Sequence, residues 1–359
     1  MTSPTGPSEF TRPLPAVDLG PIFSRLLAGE TLSEDEAAAA FRAMITGAAH
    51  EAEIGALLAL LATRTPTAAE LVGAAGVMRQ HVDAVPTRID PDQLVDTAGT
   101  GGAPKTFNVS TAAAILAAAC GVRVAKHGNR SRTGRGSAEV LQQLGVNVNA
   151  SRLVQARCLD EVGVCFCFAI HHHPATRHVI GARRALGFAT MFNLLGPLTN
   201  PAGARRQVMG VYADRYVTPV AQALQALGAS RAIVMHSRDG LDEMTVTAET
   251  RVAHITPDGV SEEIIQPESL GLTRATFDDV RVTDIEAAAQ SLRSILCGEE
   301  RGARRDMTLL STAAVLVVAE RADSFAAGLT LAAEAIDDGR AAATLEALIE
   351  CSNHSTDAM

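Results

Sequence analysis

Hydrophobic positions recur at helical spacing from Leu19 to Val82. Ile22, Leu26 and Leu27 form one stripe. Ser33, followed by Glu34 and Asp35, opens a second, residues 53–62 form a third, and a fourth starts at Thr67 and runs through Leu71, Ala74 and Met78. No alternating pattern interrupts them, so the spacing predicts an N-terminal all-helical domain over residues 15–88, left through Pro86 and Pro91. Residues 1–14 have little to bury and predict a flexible arm. Beyond Leu94 short apolar runs alternate with helical ones. Strands are predicted at 94–96, 122–126, 164–169, 208–212 and 232–236, with helices between them. The fold class is therefore α/β: a small helical domain plus a larger, mostly parallel α/β domain over residues 89–350, covered on both faces. Two segments break the rhythm. Residues 188–201, rich in Asn, Gly and Pro, read as a hinge-like crossing back toward the helical unit. Residues 245–255 alternate like antiparallel strands.

Polar loops follow the first two strands. One reads Asp96-Thr97-Ala98-Gly99-Thr100-Gly101-Gly102 and continues through Lys105-Thr106-Phe107-Asn108-Val109-Ser110-Thr111. The other reads Lys126-His127-Gly128-Asn129-Arg130 and closes on Gly136-Ser137. Glycine lets backbone approach an anion, and a helix start offers unpaired N–H groups and the positive end of a dipole. Two such loops, about 30 residues apart by the strand–loop–helix repeat, predict a ligand with two phosphate groups. Ser110, Thr111 and Ser137 are expected to cap the helices that follow.

Composition narrows the partners. The net charge of −9 argues against a general nucleic-acid binder. Lys105 and Lys126 are the only lysines, and both fall in the glycine loops, where a compact ammonium suits an anion. The six cysteines show no Cys-x-x-Cys spacing and read as free buried thiols. With no leader pattern and no membrane-length apolar run, a cytoplasmic protein is expected.

Asp242-Glu243, after the strand ending near His236, could serve a divalent cation such as Mg²⁺, which favours one or two carboxylates plus substrate phosphates. Ser110 could join them. Arg183, on a helix after Pro174, could pair with a substrate carboxylate. His171-His172-His173 reads as a helix-entry loop and not as a metal tract, because consecutive side chains diverge.

Taken together, Gly99 to Gly102, Asn108 to Thr111, Lys126 to Arg130, Gly136 to Ala138, Phe192 to Pro201 and Gly240 to Glu243 resemble the anthranilate phosphoribosyltransferase family over roughly residues 20–345. The resemblance implies a homodimer joined through the helical domains. It also implies phosphoribosyl pyrophosphate held between the domains with Mg²⁺, and anthranilate as acceptor. Carried over by position, Gly99, Gly102, Thr106, Asn108, Val109, Ser110, Thr111, Lys126 and Ser137 would bind the sugar diphosphate. Ser110, Asp242 and Glu243 would serve the metal, and Gly99, His127, Asn129 and Arg183 would meet anthranilate. Lys126, Asp242 and Glu243 would be catalytic. The chain departs from the family pattern at Ala103, where an aspartate is usual, and at Ala189, where an arginine is common. A pyrimidine nucleoside phosphorylase and a non-catalytic nucleic-acid-binding relative are the alternative readings.

Overall fold

The computed structural model describes residues 18–131 and 134–354; the predicted arm 1–14 lies outside them. The chain opens with four helices: α1 (Gly20–Leu27), α2 (Glu34–Thr46), α3 (Glu51–Ala62) and α4 (Ala68–Gln80). Ser33 caps α2 and Thr67 caps α4, each in a reciprocal box with the glutamate three residues on. α3 starts two residues earlier than the pattern suggests, because His50 and Glu53 form the same box.

The sheet domain follows: β1 (Leu94–Asp96), α5 (Val109–Ala119), β2 (Arg123–Gly128), α6 (Ser137–Gln143), α7 (Arg152–Glu161) and β3 (Val164–Phe168). Then come α8 (Ala169–His172), α9 (Ile180–Leu186) and α10 (Met191–Leu195), of which α9 packs on α3 and α10 on α3 and α4. The chain re-enters the sheet as β4 (Arg206–Gly210), α11 (Val217–Ala226), β5 (Arg231–Ser237), β6 (Thr250–Thr256) and β7 (Gly259–Ile265). It ends in α12 (Phe277–Val280), α13 (Ile285–Leu296), α14 (Ala303–Val318), α15 (Phe325–Asp337) and α16 (Arg340–Asn353).

The seven strands run in the order β3-β2-β1-β4-β5-β6-β7, with β1 to β5 parallel and the last two antiparallel. β7 has no counterpart among the predicted strands: its two exposed glutamates and Ile264 carry no alternation, and it forms by adding to β6 as an edge. Residues 245–249, expected in a strand, are irregular, and β6 begins at Thr250. Along β4 and β5 successive side chains feed two different cores. Val208, Ile233 and Met235 face a core shared with α5 and α13 to α16. Met209, Ala232 and Val234 face a core that continues through α11 into α2, α3, α4 and α10. The second core is thus common to one sheet face and the helical unit.

Candidate functional site

The strand order reverses direction between β1 and β4, because the crossover after β1 goes one way and the one before β4 the other. Crevices at such points, outside the carboxyl ends of parallel strands, are where open α/β sheets hold ligands. The first glycine loop leaves β1 at this point and is tied to the end of β4. The Thr100 amide donates to the Gly210 carbonyl at 2.9 Å, and the Tyr212 amide donates to Thr100 Oγ1 at 3.0 Å. Gly210 must lack a side chain, since a Cβ there would stand 1.7 Å from the Asp242 carbonyl oxygen. The acidic turn therefore lies directly against β4.

Inside the loop, Gly102 (φ 102°) lies against the ring of Tyr212, where a Cβ would be 3.4 Å from Cβ and Cγ. Asn108, at φ 66°, takes the left-handed conformation and is the residue before α5. This corrects the expected capping. Ser110 and Thr111 lie in the first turn, and α5 has no side-chain cap. Val109 and Thr106 are buried. Asn108 spends its side chain on the second loop, donating from Nδ2 to the Arg135 carbonyl at 3.2 Å. Ser137 likewise is not a cap. Gly136 precedes α6, with its amide held by Glu139, while Ser137 Oγ donates to the Asn129 carbonyl at 3.4 Å.

Four predicted residues share one narrow recess: Gly99, Ser110, Asp242 and Glu243, together with Thr97, Gly210 and Ser311. Lys126 joins through hydrogen bonds from Nζ to Ser110 Oγ and Thr97 Oγ1, both 3.2 Å. Its ammonium is buried, which pulls its pKa down against the attraction of Asp96 and Glu243. Asp242 and Glu243 still reach solvent through the recess, but dense surrounding protein raises both. Glu243 rises to about 8, first through burial and then through repulsion from Asp242, with Lys126, Lys105 and the Ser110 amide opposing. Asp242 is raised by burial against the pull of Lys105. Neither acid has an ion-pair partner among the described residues. The buried Thr111 Oγ1 also lacks a hydrogen-bond partner there.

Sequence reasoning passes over the residues that hold this arrangement. Asp96 Oδ1 accepts from the amides of Ala98 and His127, both at 3.0 Å, and so ties both loops together. Burial raises its pKa to about 6, against the Asn200 side chain, the His127 amide and Lys126. Asn200 donates to the Ala125 carbonyl at 2.8 Å and fixes the crossing segment to β2. A buried acid at a strand end and an Asn-Pro pair are the signals that could have found them.

The remaining predicted residues stand apart from the recess. His127 follows Lys126 on β2 and so points to the other face. Its Nδ1 lies 3.0 Å from the Gly196 carbonyl and its Nε2 lies 3.2 Å from His173 Nε2. A carbonyl only accepts, so Nδ1 carries the proton and both ring nitrogens are engaged. Asn129 is exposed. Arg183 stands with the helical unit, its guanidinium 5.0 Å above the Phe192 ring. His172 and His173 are buried, and no cluster of three or more His, Cys, Asp or Glu side chains suited to a metal occurs among the described residues. No described helix is long and apolar enough to cross a membrane.

The chain as a whole is similar to known proteins. Residues 91–342 match the glycosyl transferase family a/b domain, and residues 21–82 match that family's helical bundle domain. An anthranilate phosphoribosyltransferase from Rubrobacter xylanophilus is 48% identical over 327 residues, covering 90% of this chain and 95% of that protein. One from Geotalea uraniireducens is 45% identical, covering 92% and 98%. The crystal structure of the Thermus thermophilus anthranilate phosphoribosyltransferase superposes with a TM-score of 0.86 at 38% identity, over 92% of this chain and 99% of that one. The Saccharomyces cerevisiae enzyme in complex with PRPP and Mg shares the fold, with a TM-score of 0.83 at 24% identity, covering 92% of this chain and 96% of that one.

Proposed function

The chain belongs to the anthranilate phosphoribosyltransferase family, and from that premise we propose how its cleft performs the reaction. The enzyme transfers the phosphoribosyl group of 5-phosphoribosyl 1-pyrophosphate to anthranilate, giving N-(5-phosphoribosyl)anthranilate and pyrophosphate, in tryptophan biosynthesis. The observation that carries the proposal is the convergence of Lys126, Ser110, Asp242 and Glu243 at the switch point.

The diphosphate lies against residues 99–111, with Gly99, Gly102, Thr106, Asn108, Val109, Ser110 and Thr111 as its cradle and Ser137 toward the ribose phosphate. Three left-handed positions, Gly101, Gly102 and Asn108, bend this stretch, and backbone turns of that kind form anion-binding concavities. Asp242 and Glu243 are adjacent hard-oxygen donors with no ion pair among the described residues, and with Ser110 they fit Mg²⁺. Bound there with substrate phosphates, the ion would neutralise charge on the departing pyrophosphate. Lys126 adds a positive charge in a region of low dielectric, where it acts strongly on the breaking C–O bond. The aromatic amine attacks the anomeric carbon as the C–O bond to pyrophosphate breaks; being a neutral nucleophile it needs no strong base, and the acidic N–H of the new ammonium then loses its proton to solvent or to the departed pyrophosphate. Arg183 pairs with the anthranilate carboxylate, and Gly99 and Asn129 line its path. His127 contributes its ring edge only, since its nitrogens are taken.

Closure of the helical unit (15–88) on the sheet domain (89–350), about the 188–201 crossing, would exclude water. A homodimer is supported by exposed apolar groups on neighbouring helices: Leu27 on α1, Ile180 on α9 and Phe188 just beyond it, with α3 packed on both α1 and α9. Six free cysteines favour the cytoplasm. Loss of anthranilate fluorescence is the test. It should require both the sugar diphosphate and Mg²⁺; loss without the sugar diphosphate, or none with both present, would overturn the proposal.

A further inference from the structure

Cys158 on α7 and Cys351 in the last turn of α16 bring their sulfurs to 3.2 Å, although 193 residues separate them. That is closer than two sulfurs in ordinary van der Waals contact. Both thiols are buried, and α7 and α16 pack directly. Cys158 donates its S–H to Cys351, and Cys351 Sγ in turn reaches Glu161 Oε2 at 3.9 Å. Arg157 anchors the same helix end, donating to the carbonyls of Cys351 and His354, both at 2.9 Å. The result is a thiol–thiol–carboxylate chain, a layout that nothing in the transferase reaction uses.

We propose that Cys158 and Cys351 are a modification site: hydrogen peroxide converts them into an intramolecular disulfide that staples the C-terminal helix to α7. Cys351 reacts first, because it sits in the last helical turn, where local opening costs least. Its proton passes to Glu161, its sulfur attacks one peroxide oxygen as the O–O bond breaks, and Glu161 returns the proton to the leaving hydroxide, giving a Cys351 sulfenic acid and water. Cys158 sulfur then attacks the sulfenic sulfur; an S–S bond forms, the S–O bond breaks, and the Cys158 proton leaves with the oxygen as a second water. Two thiols and one peroxide thus give one disulfide and two waters. Burial and the hydrogen bond to Cys351 push the Cys158 thiol well up, which suits the partner that waits. Since α16 also packs on α5, the staple braces the helix that carries Ser110 and Thr111 from behind.

The test treats reduced full-length protein with hydrogen peroxide and maps peptides without reduction. The expected result is a Cys158–Cys351 link, an intact mass lower by two hydrogens, and a melting temperature raised by a few degrees, as a long closed loop predicts. Cys158→Ser should leave a sulfenic acid on Cys351 that a cyclic diketone traps, and Cys351→Ser should abolish the thermal gain. A map in which exposed Cys297 is oxidised and the link is missing would overturn the proposal. So would a link between Cys165 and Cys167, whose sulfurs lie 3.7 Å apart on β3, in its place. The wild-type map stands even if a variant fails to fold.

Discussion

The molecule buries acids in two ways. In the helical unit Glu70 is fully buried, and each of its oxygens is engaged. The amides of Leu32 and Thr67 donate to it at 2.8 Å, and Arg64 grips both oxygens. Burial alone would raise its pKa, but Arg64 and the two amides outweigh that and hold it below the usual range. At the switch point, Asp242 and Glu243 have amides beside them, from Gly101 and Ser110, but no ion pair among the described residues, and burial pushes both the other way. An acid with its partners built in is structural. A pair left uncompensated at a switch point stores electrostatic demand for something that arrives later.

The contrast can be broken at each end. The largest effect is expected for Lys126→Ala and Asp242→Ala. Turnover should fall by ~10³-fold, on the scale of losing one preorganised charge-stabilising group, while circular dichroism and melting stay near wild type. Near-normal turnover would remove these residues from the chemistry. Glu70→Ala should do the reverse. It strands Arg64 and two amides, so denaturant unfolding should show a loss of about 3 kcal/mol, with activity per folded molecule retained. Because the folded pKa of Glu70 is depressed, its contribution is present above the unfolded carboxylate range and fades as pH falls through the folded value. Arg183→Ala sharpens the comparison between two arginines: Arg64 holds a carboxylate of the chain, and Arg183 is proposed to hold the carboxylate of a substrate. The KM for anthranilate should rise about tenfold, the loss expected of one charge-assisted contact. A rise confined to the sugar diphosphate would reverse that assignment.

The smallest and most diagnostic effect concerns protons. Glu243 is raised in the free protein, and a cation favours its ionised form. Metal binding should therefore release protons between the ordinary carboxylate range and pH of about 8, and affinity should climb with pH across that window and then level. Calorimetry in buffers of different ionisation enthalpy measures this. Glu243→Gln should reduce the release and stabilise the fold by about 1 kcal/mol at neutral pH, because the wild-type carboxylate resists ionisation in the folded state. A destabilised variant would show that the acid pair is structural after all.

Much of this is legible in the sequence, for local reasons. The strand–loop–helix rhythm, the capping boxes at Ser33 and Thr67, and the lysines confined to glycine loops are all short-range signals. What escapes depends on pairing between distant segments. β7 exists only because β6 offers an edge. Asp96 matters because β1 lies beside β2, and Gly210 because β4 lies between β1 and β5. Ser110 and Ser137 read as caps in sequence but are not, because α5 already starts at Val109 after Asn108 and α6 at Ser137 after Gly136, and the hydroxyls turn to Lys126 and Asn129 instead.

Gly210 carries one more lesson. The distance between the acidic turn and the strand beneath it is set by a missing atom, in a position with no charge, no proton to give and nothing to label. Adding a single methyl group as Gly210→Ala would wedge that seam open and shift the Asp242 backbone without removing any reactive side chain. A residue with no reactive group thus sets where the reactive ones stand.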